Sequence, residues 1–66
     1  MEITLNNSPL PVEEGATVAT LVASQAGDGK GIAVAVNDAI VTRAKWADTP
    51  LNAGDRVVII KAAYGG

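Results

Sequence analysis

The residues whose type and spacing point to chemistry stand at the end of the sequence, Gly65-Gly66. A carboxylate is a poor electrophile until it is activated, typically as an acyl-adenylate. An enzyme that adenylates a protein terminus must draw that terminus into a closed nucleotide site. Two glycines form the thinnest backbone available and accept any φ and ψ. They would let the carboxylate of Gly66 thread a narrow channel that a side chain at 65 or 66 would block. The plain alternative is a frayed end made of small residues. Tyr64, directly before the glycines, either packs back on the domain or anchors the tail on a partner.

Other candidates carry less. There is no Cys and no His, which removes disulfides, thiolate sites, the commonest general base and the commonest metal ligand. Of the carboxylates only Glu13 and Glu14 are adjacent, and neighbours in an extended segment point to opposite sides. Asp28, Asp38, Asp48 and Asp55 fall in expected turns, where Asp bonds the backbone. The glycine-rich run Gly27-Asp28-Gly29-Lys30-Gly31 lacks phosphate-loop spacing and follows a helix instead of preceding one. It reads as a connection. Trp46 reads as a packing anchor. An enzyme is not expected.

The five basic residues are scattered and the net charge is −2, so no stripe exists for a phosphate backbone and nucleic acid is not an expected partner. No apolar run reaches spanning length, so no membrane association is expected. The N-terminus carries no signal-peptide pattern. A cytoplasmic location is the expectation.

The elements that must position the tail follow from periodicity. Residues 1–6 alternate apolar and polar, as a half-buried strand does. Asn6-Asn7-Ser8 is a turn, and residues 10–13 form a second short strand, with Pro9 and Pro11 suiting an edge. Thr17 is an N-cap for a helix over residues 17–26 with its stripe at Val18, Leu21 and Val22. Gly27 should end it in a left-handed conformation. Ile32–Val36 reads as a central strand, with Ile32, Val34 and Val36 in the core and the alanines under something close. Ala39–Val41 is a fourth strand, Arg43–Trp46 a helical turn, Leu51 a core residue, and residues 56–61 a last strand in mid-sheet. One helix on one face of a mostly antiparallel sheet is an α+β layer. It leaves the opposite face open, where Val58, Ile60 and residues of the first strand are candidates for an apolar, partner-facing patch. The expected division is a domain over residues 1–62 and a flexible tail over residues 63–66.

The sequence resembles the ThiS family, the sulfur carriers of thiamine (thiazole) biosynthesis. The resemblance rests on Met1-Glu2-Ile3-Thr4-Leu5-Asn6, Gly15-Ala16-Thr17-Val18, Leu21, Ala33 through Asn37, Ile40-Val41, Arg43 through Trp46, Leu51, Gly54-Asp55-Arg56-Val57 and Gly65-Gly66. Thr42 stands where that family often has Pro, and Val58 where an acidic residue is frequent.

The resemblance implies a ubiquitin-like β-grasp fold with about five strands in a mixed sheet. It implies a carrier that binds no cofactor itself. An adenylating partner of the ubiquitin-activating type uses ATP and magnesium to activate Gly66, and a cysteine-desulfurase persulfide supplies the sulfur. Thiazole synthase accepts it from the resulting thiocarboxylate. The alternatives are a related carrier of the molybdopterin synthase small-subunit type and a ubiquitin-like binding module.

Overall fold

The computed structural model describes residues 1–61. The chain runs β1 (Glu2–Leu5), β2 (Ser8–Pro11), α1 (Val18–Ala26), β3 (Ile32–Val36), β4 (Ala39–Val41), a 3-10 helix (Arg43–Asp48) and β5 (Arg56–Lys61). The strands form one sheet in the order β2-β1-β5-β3-β4. β1 and β5 pair in parallel, and the other neighbours are antiparallel. This is the mixed five-stranded sheet with one helix of a β-grasp fold, and β5 lies at its centre.

Alternation divides the sheet into two faces. Ile3, Val34 and Val57 are buried, and they meet Val18, Leu21 and Val22 of α1 with Trp46 and Leu51. Leu5, Ile32, Val36, Val41 and Ile59 pack around that centre. Burying such side chains contributes about 1.5–3 kcal/mol each, and without Phe the core is aliphatic apart from Trp46.

Helix α1 starts in a capping box. Thr17 Oγ1 accepts from the Thr20 N–H and Thr20 Oγ1 accepts from the Thr17 N–H. Here Thr at the third helical position does the work more often done by Glu or Gln. Gly27 does take a positive φ, but with ψ −120 it is not in the left-handed helical region expected of it. The chain extends at once into the loop toward β3.

That loop is held by Trp46. The indole N–H donates to the Val41 carbonyl, and the Arg43 guanidinium lies 5.6 Å from the ring centroid while donating to the Asp28 carbonyl. Gly29 passes so close that a Cβ there would stand 2.8 Å from the ring.

Two further expectations need correction. β2 lies at Ser8–Pro11, two residues earlier than expected, because a two-residue turn at Asn6-Asn7 pairs Leu5 with Ser8. Pro9 and Pro11 do sit on an edge strand, where a missing N–H costs no ladder bond. The alanine side of β3 is not covered. Ala33 is exposed and Ala35 half-buried, because α1 lies on the other face.

Candidate functional site: the open face and the exit of β5

The residues expected to react or to guide the tail, Gly66, Gly65 and Tyr64, lie outside the described residues. What the fold positions is the strand that leads to them and the surface beside it.

Val58 and Ile60 lie on the open face, as expected. In β5 they alternate with Val57 and Ile59, which belong to the core side. Across the β3–β5 ladder Val58 pairs with Ala35 and Ile60 with Ala33, and across the β3–β4 ladder Ala35 pairs with Ile40. Five apolar side chains therefore share one face. Ile40 is 69% and Ile60 57% exposed.

The first strand does not extend this patch. Its open-face residues are Glu2 and Thr4, because Ile3 and Leu5 turn inward. The patch grows toward β4 instead, through Ile40, which the sequence reasoning does not single out. The signal is present in Ala39-Ile40-Val41, since placing Val41 in the core forces Ile40 outward. At the rim, Arg56 on β5 pairs with Asp38 of the β3–β4 turn.

The exit of β5 carries a second unanticipated residue. Asn6 sits at φ 50 at the end of β1, and its own N–H donates to the Val57 carbonyl at 2.9 Å. Its side chain then meets the next accessible groups of β5. Asn6 Oδ1 accepts from the Ile59 N–H at 2.9 Å, and Nδ2 donates to the Ile59 carbonyl at 3.3 Å. From the sequence Asn6 is only a turn former, and the partner lies 53 residues away.

Among the described residues no group of His, Cys, Asp or Glu could hold a metal ion, and no helix is long and apolar enough to cross a membrane. Of the four aspartates expected in turns, two bond the backbone there: Asp28 accepts from the Lys30 N–H and Asp55 from the Asn52 N–H, whereas Asp38 pairs with Arg56 and Asp48 ends the 3-10 helix.

The ThiS family model matches residues 1–66. The chain belongs to the ThiS family. Among solved structures, this ThiS-family chain is similar to the crystal structure of the thiamine biosynthesis protein ThiS from Geobacter metallireducens, with 25% identity, a TM-score of 0.86 and 100% coverage of both chains. It is also similar to an NMR solution structure of a thiamine biosynthesis protein from the same organism. That match has 25% identity and a TM-score of 0.80, and covers 100% of this chain and 88% of the other. No curated protein matches it.

Proposed function

We propose that this chain is a sulfur carrier of thiamine biosynthesis whose reactive group is the carboxylate of Gly66. The observation that carries the reading is the ThiS family match, which runs through Gly65 and Gly66. The whole-length likeness to a thiamine biosynthesis protein supports it.

In this reading the chain supplies a carboxylate and a docking surface, and partner enzymes supply the catalysis. An adenylating enzyme of the ubiquitin-activating type, using ATP and magnesium, joins the Gly66 carboxylate to AMP and releases pyrophosphate. The outer sulfur of a desulfurase-derived cysteine persulfide then attacks the acyl carbon and AMP leaves. A thiol cleaves the resulting acyl disulfide, and the thiocarboxylate remains. Thiazole synthase takes the sulfur from it. Gly65 keeps the path to the reacting carbon narrow, and Tyr64 is the aromatic anchor at its mouth.

The open face fits the docking role. Val58, Ile60, Ile40, Ala33 and Ala35 present an apolar surface with no layer of the described residues over it, and such surfaces mark interaction sites. Val58 and Ile60 lie on the strand that leads to the tail, which lets one partner hold the face while it receives the terminus.

The test is intact-protein mass spectrometry after incubation with ATP, a persulfide source and the adenylating enzyme. The expected result is a gain equal to one oxygen replaced by sulfur, located at Gly66 and absent when Gly66 is deleted. An isopeptide bond from Gly66 to a lysine, in place of that gain, would make the chain a modifier instead.

A further inference from the structure

We infer that Asn6 is a positioning residue for the chemistry at Gly66: its side-chain amide fixes the main chain of Ile59 and so sets the place and direction from which β5 runs on into the tail. The inference rests on the sulfur-carrier reading above.

In a regular parallel ladder a residue donates its N–H to one residue of the neighbouring strand and accepts, through its own carbonyl, from the residue two further on. Asn6 donates its N–H to Val57 in that way. Its carbonyl cannot complete the pattern, because the positive φ of Asn6 and Asn7 turns the chain back into β2. The side-chain oxygen replaces it and accepts from the Ile59 N–H, and the side-chain NH2 donates to the Ile59 carbonyl. One amide thus supplies the acceptor that the Asn6 carbonyl, and the donor that the N–H two residues further on, would have supplied in a continued strand.

The consequence is confined to the last residues of β5. At Arg56 and Val57 the strand is flanked by β1 on one side and β3 on the other. At Ile59 β1 has ended; β3 continues beside the strand to Lys61, and among the described residues Asn6 holds the other side. Past Ile59 and Lys61 the chain has five more residues to Gly66, a reach of at most about 17 Å. The direction in which the strand ends therefore sets where that short reach begins. Without the amide, the strand end samples more directions, and a smaller fraction of molecules docked on the open face present the terminus to the nucleotide site. Apparent affinity falls by that fraction, while the rate after entry stays the same.

The separating variant is Asn6→Gly. Glycine accepts φ 50 without strain, so the turn is kept and only the amide is lost. Asn7→Gly is the control, since it alters the same turn at φ 70 and leaves the Ile59 bonds in place. Two measurements are made on the full chain, with circular dichroism showing both variants folded at the assay temperature. The first is amide exchange at Ile59 in the free protein. Faster exchange in Asn6→Gly alone is expected, and unchanged exchange would overturn the clamp.

The second is ATP–pyrophosphate exchange with the adenylating enzyme over a range of carrier concentrations. The expected result is a KM about tenfold higher for Asn6→Gly with kcat within about twofold, and wild-type values for Asn7→Gly. Equal KM for Asn6→Gly would overturn the positioning role. Failure of the wild-type chain to support exchange would instead overturn the carrier reading and this role with it, and the Ile59 measurement would still decide whether Asn6 holds the strand end.

Discussion

Asn6 and Asn37 stand at the same place in two hairpin turns. Each has φ 50 and is followed by a residue at φ 70, the double positive φ that two-residue hairpins require. Each turns its side-chain oxygen onto a main-chain N–H of β5, Asn37 at Arg56 and Asn6 at Ile59. The surroundings differ. Asn37 grips the entrance of β5, and its NH2 donates to Asp55, a carboxylate only 9% exposed that also accepts from the Asn52 N–H. Asn6 grips the exit, and its NH2 ends on the Ile59 carbonyl in solvent-exposed surroundings. The same amide is a fold anchor where a buried carboxylate backs it. Where nothing backs it, it guides the segment of chain that leaves the strand.

The hardest test of this contrast is Asp55→Ala. It leaves the Asn37 NH2 and the Asn52 N–H without their partner in a part-buried place, which costs about 2–3 kcal/mol. For a domain of this size that is a large share of the total. Urea unfolding should show it as a lower midpoint at unchanged slope. A loss under about 1 kcal/mol would mean that the entrance is no better anchored than the exit, and the contrast would fail. Asn37→Gly keeps the turn and removes two bonds, but the Arg56 N–H it frees is exposed, so it should cost less, about 1–2 kcal/mol by the same measurement. Neither change touches the open face, so folded molecules of both variants should be loaded as well as wild type.

A third substitution sharpens the division from the other direction. Ile60 is 57% exposed on the open face, so Ile60→Lys should move stability by no more than about 0.5 kcal/mol. Loading by the adenylating enzyme should nevertheless fall about tenfold, because a charge would be driven into the apolar contact. Wild-type loading of this variant would remove the open face from the proposed function.

Most of the sheet was legible because its signals are local. Alternation in residues 1–6, the apolar run Ile32–Val36 and the spacing of Val18, Leu21 and Val22 each fix an element from within. Thr17 marks the helix start, and Trp46 is the packing anchor expected of it, buried at 7% exposure. The expectations that failed depended on something distant. Whether the alanines of β3 are covered depends on which face receives α1, and alternation is blind to that. The φ of Gly27 follows from its type, but its ψ follows from where β3 must begin. Asn6 and Asn37 were legible as turn formers, whereas their bonds to β5 depend on strand register set 53 and 19 residues along the chain. Ile40 lies between the two cases. Its strand is legible, but the register that joins it to Ala35 and Val58 is not.

The finest comparison is between the second residues of the two turns, Asn7 and Asp38, both at φ 70. Glycine is the preferred residue there, so Asn7→Gly should stabilise the chain by about 0.5 kcal/mol through relief of backbone strain. Asp38→Gly gives the same relief and removes the pairing with Arg56, in which the two side chains are 52% and 80% exposed. Exposed pairs contribute about 0–1 kcal/mol and are screened by salt. The two effects in Asp38→Gly should therefore nearly cancel at low ionic strength. Raising the salt should bring it toward Asn7→Gly, since screening weakens the pair only in the parent chain. Thermal unfolding of the two variants in low and high salt checks this. If Asp38→Gly stabilises as much as Asn7→Gly at low salt, the ion pair contributes nothing. The advantage of the entrance turn would then lie wholly in Asn37 and the buried Asp55.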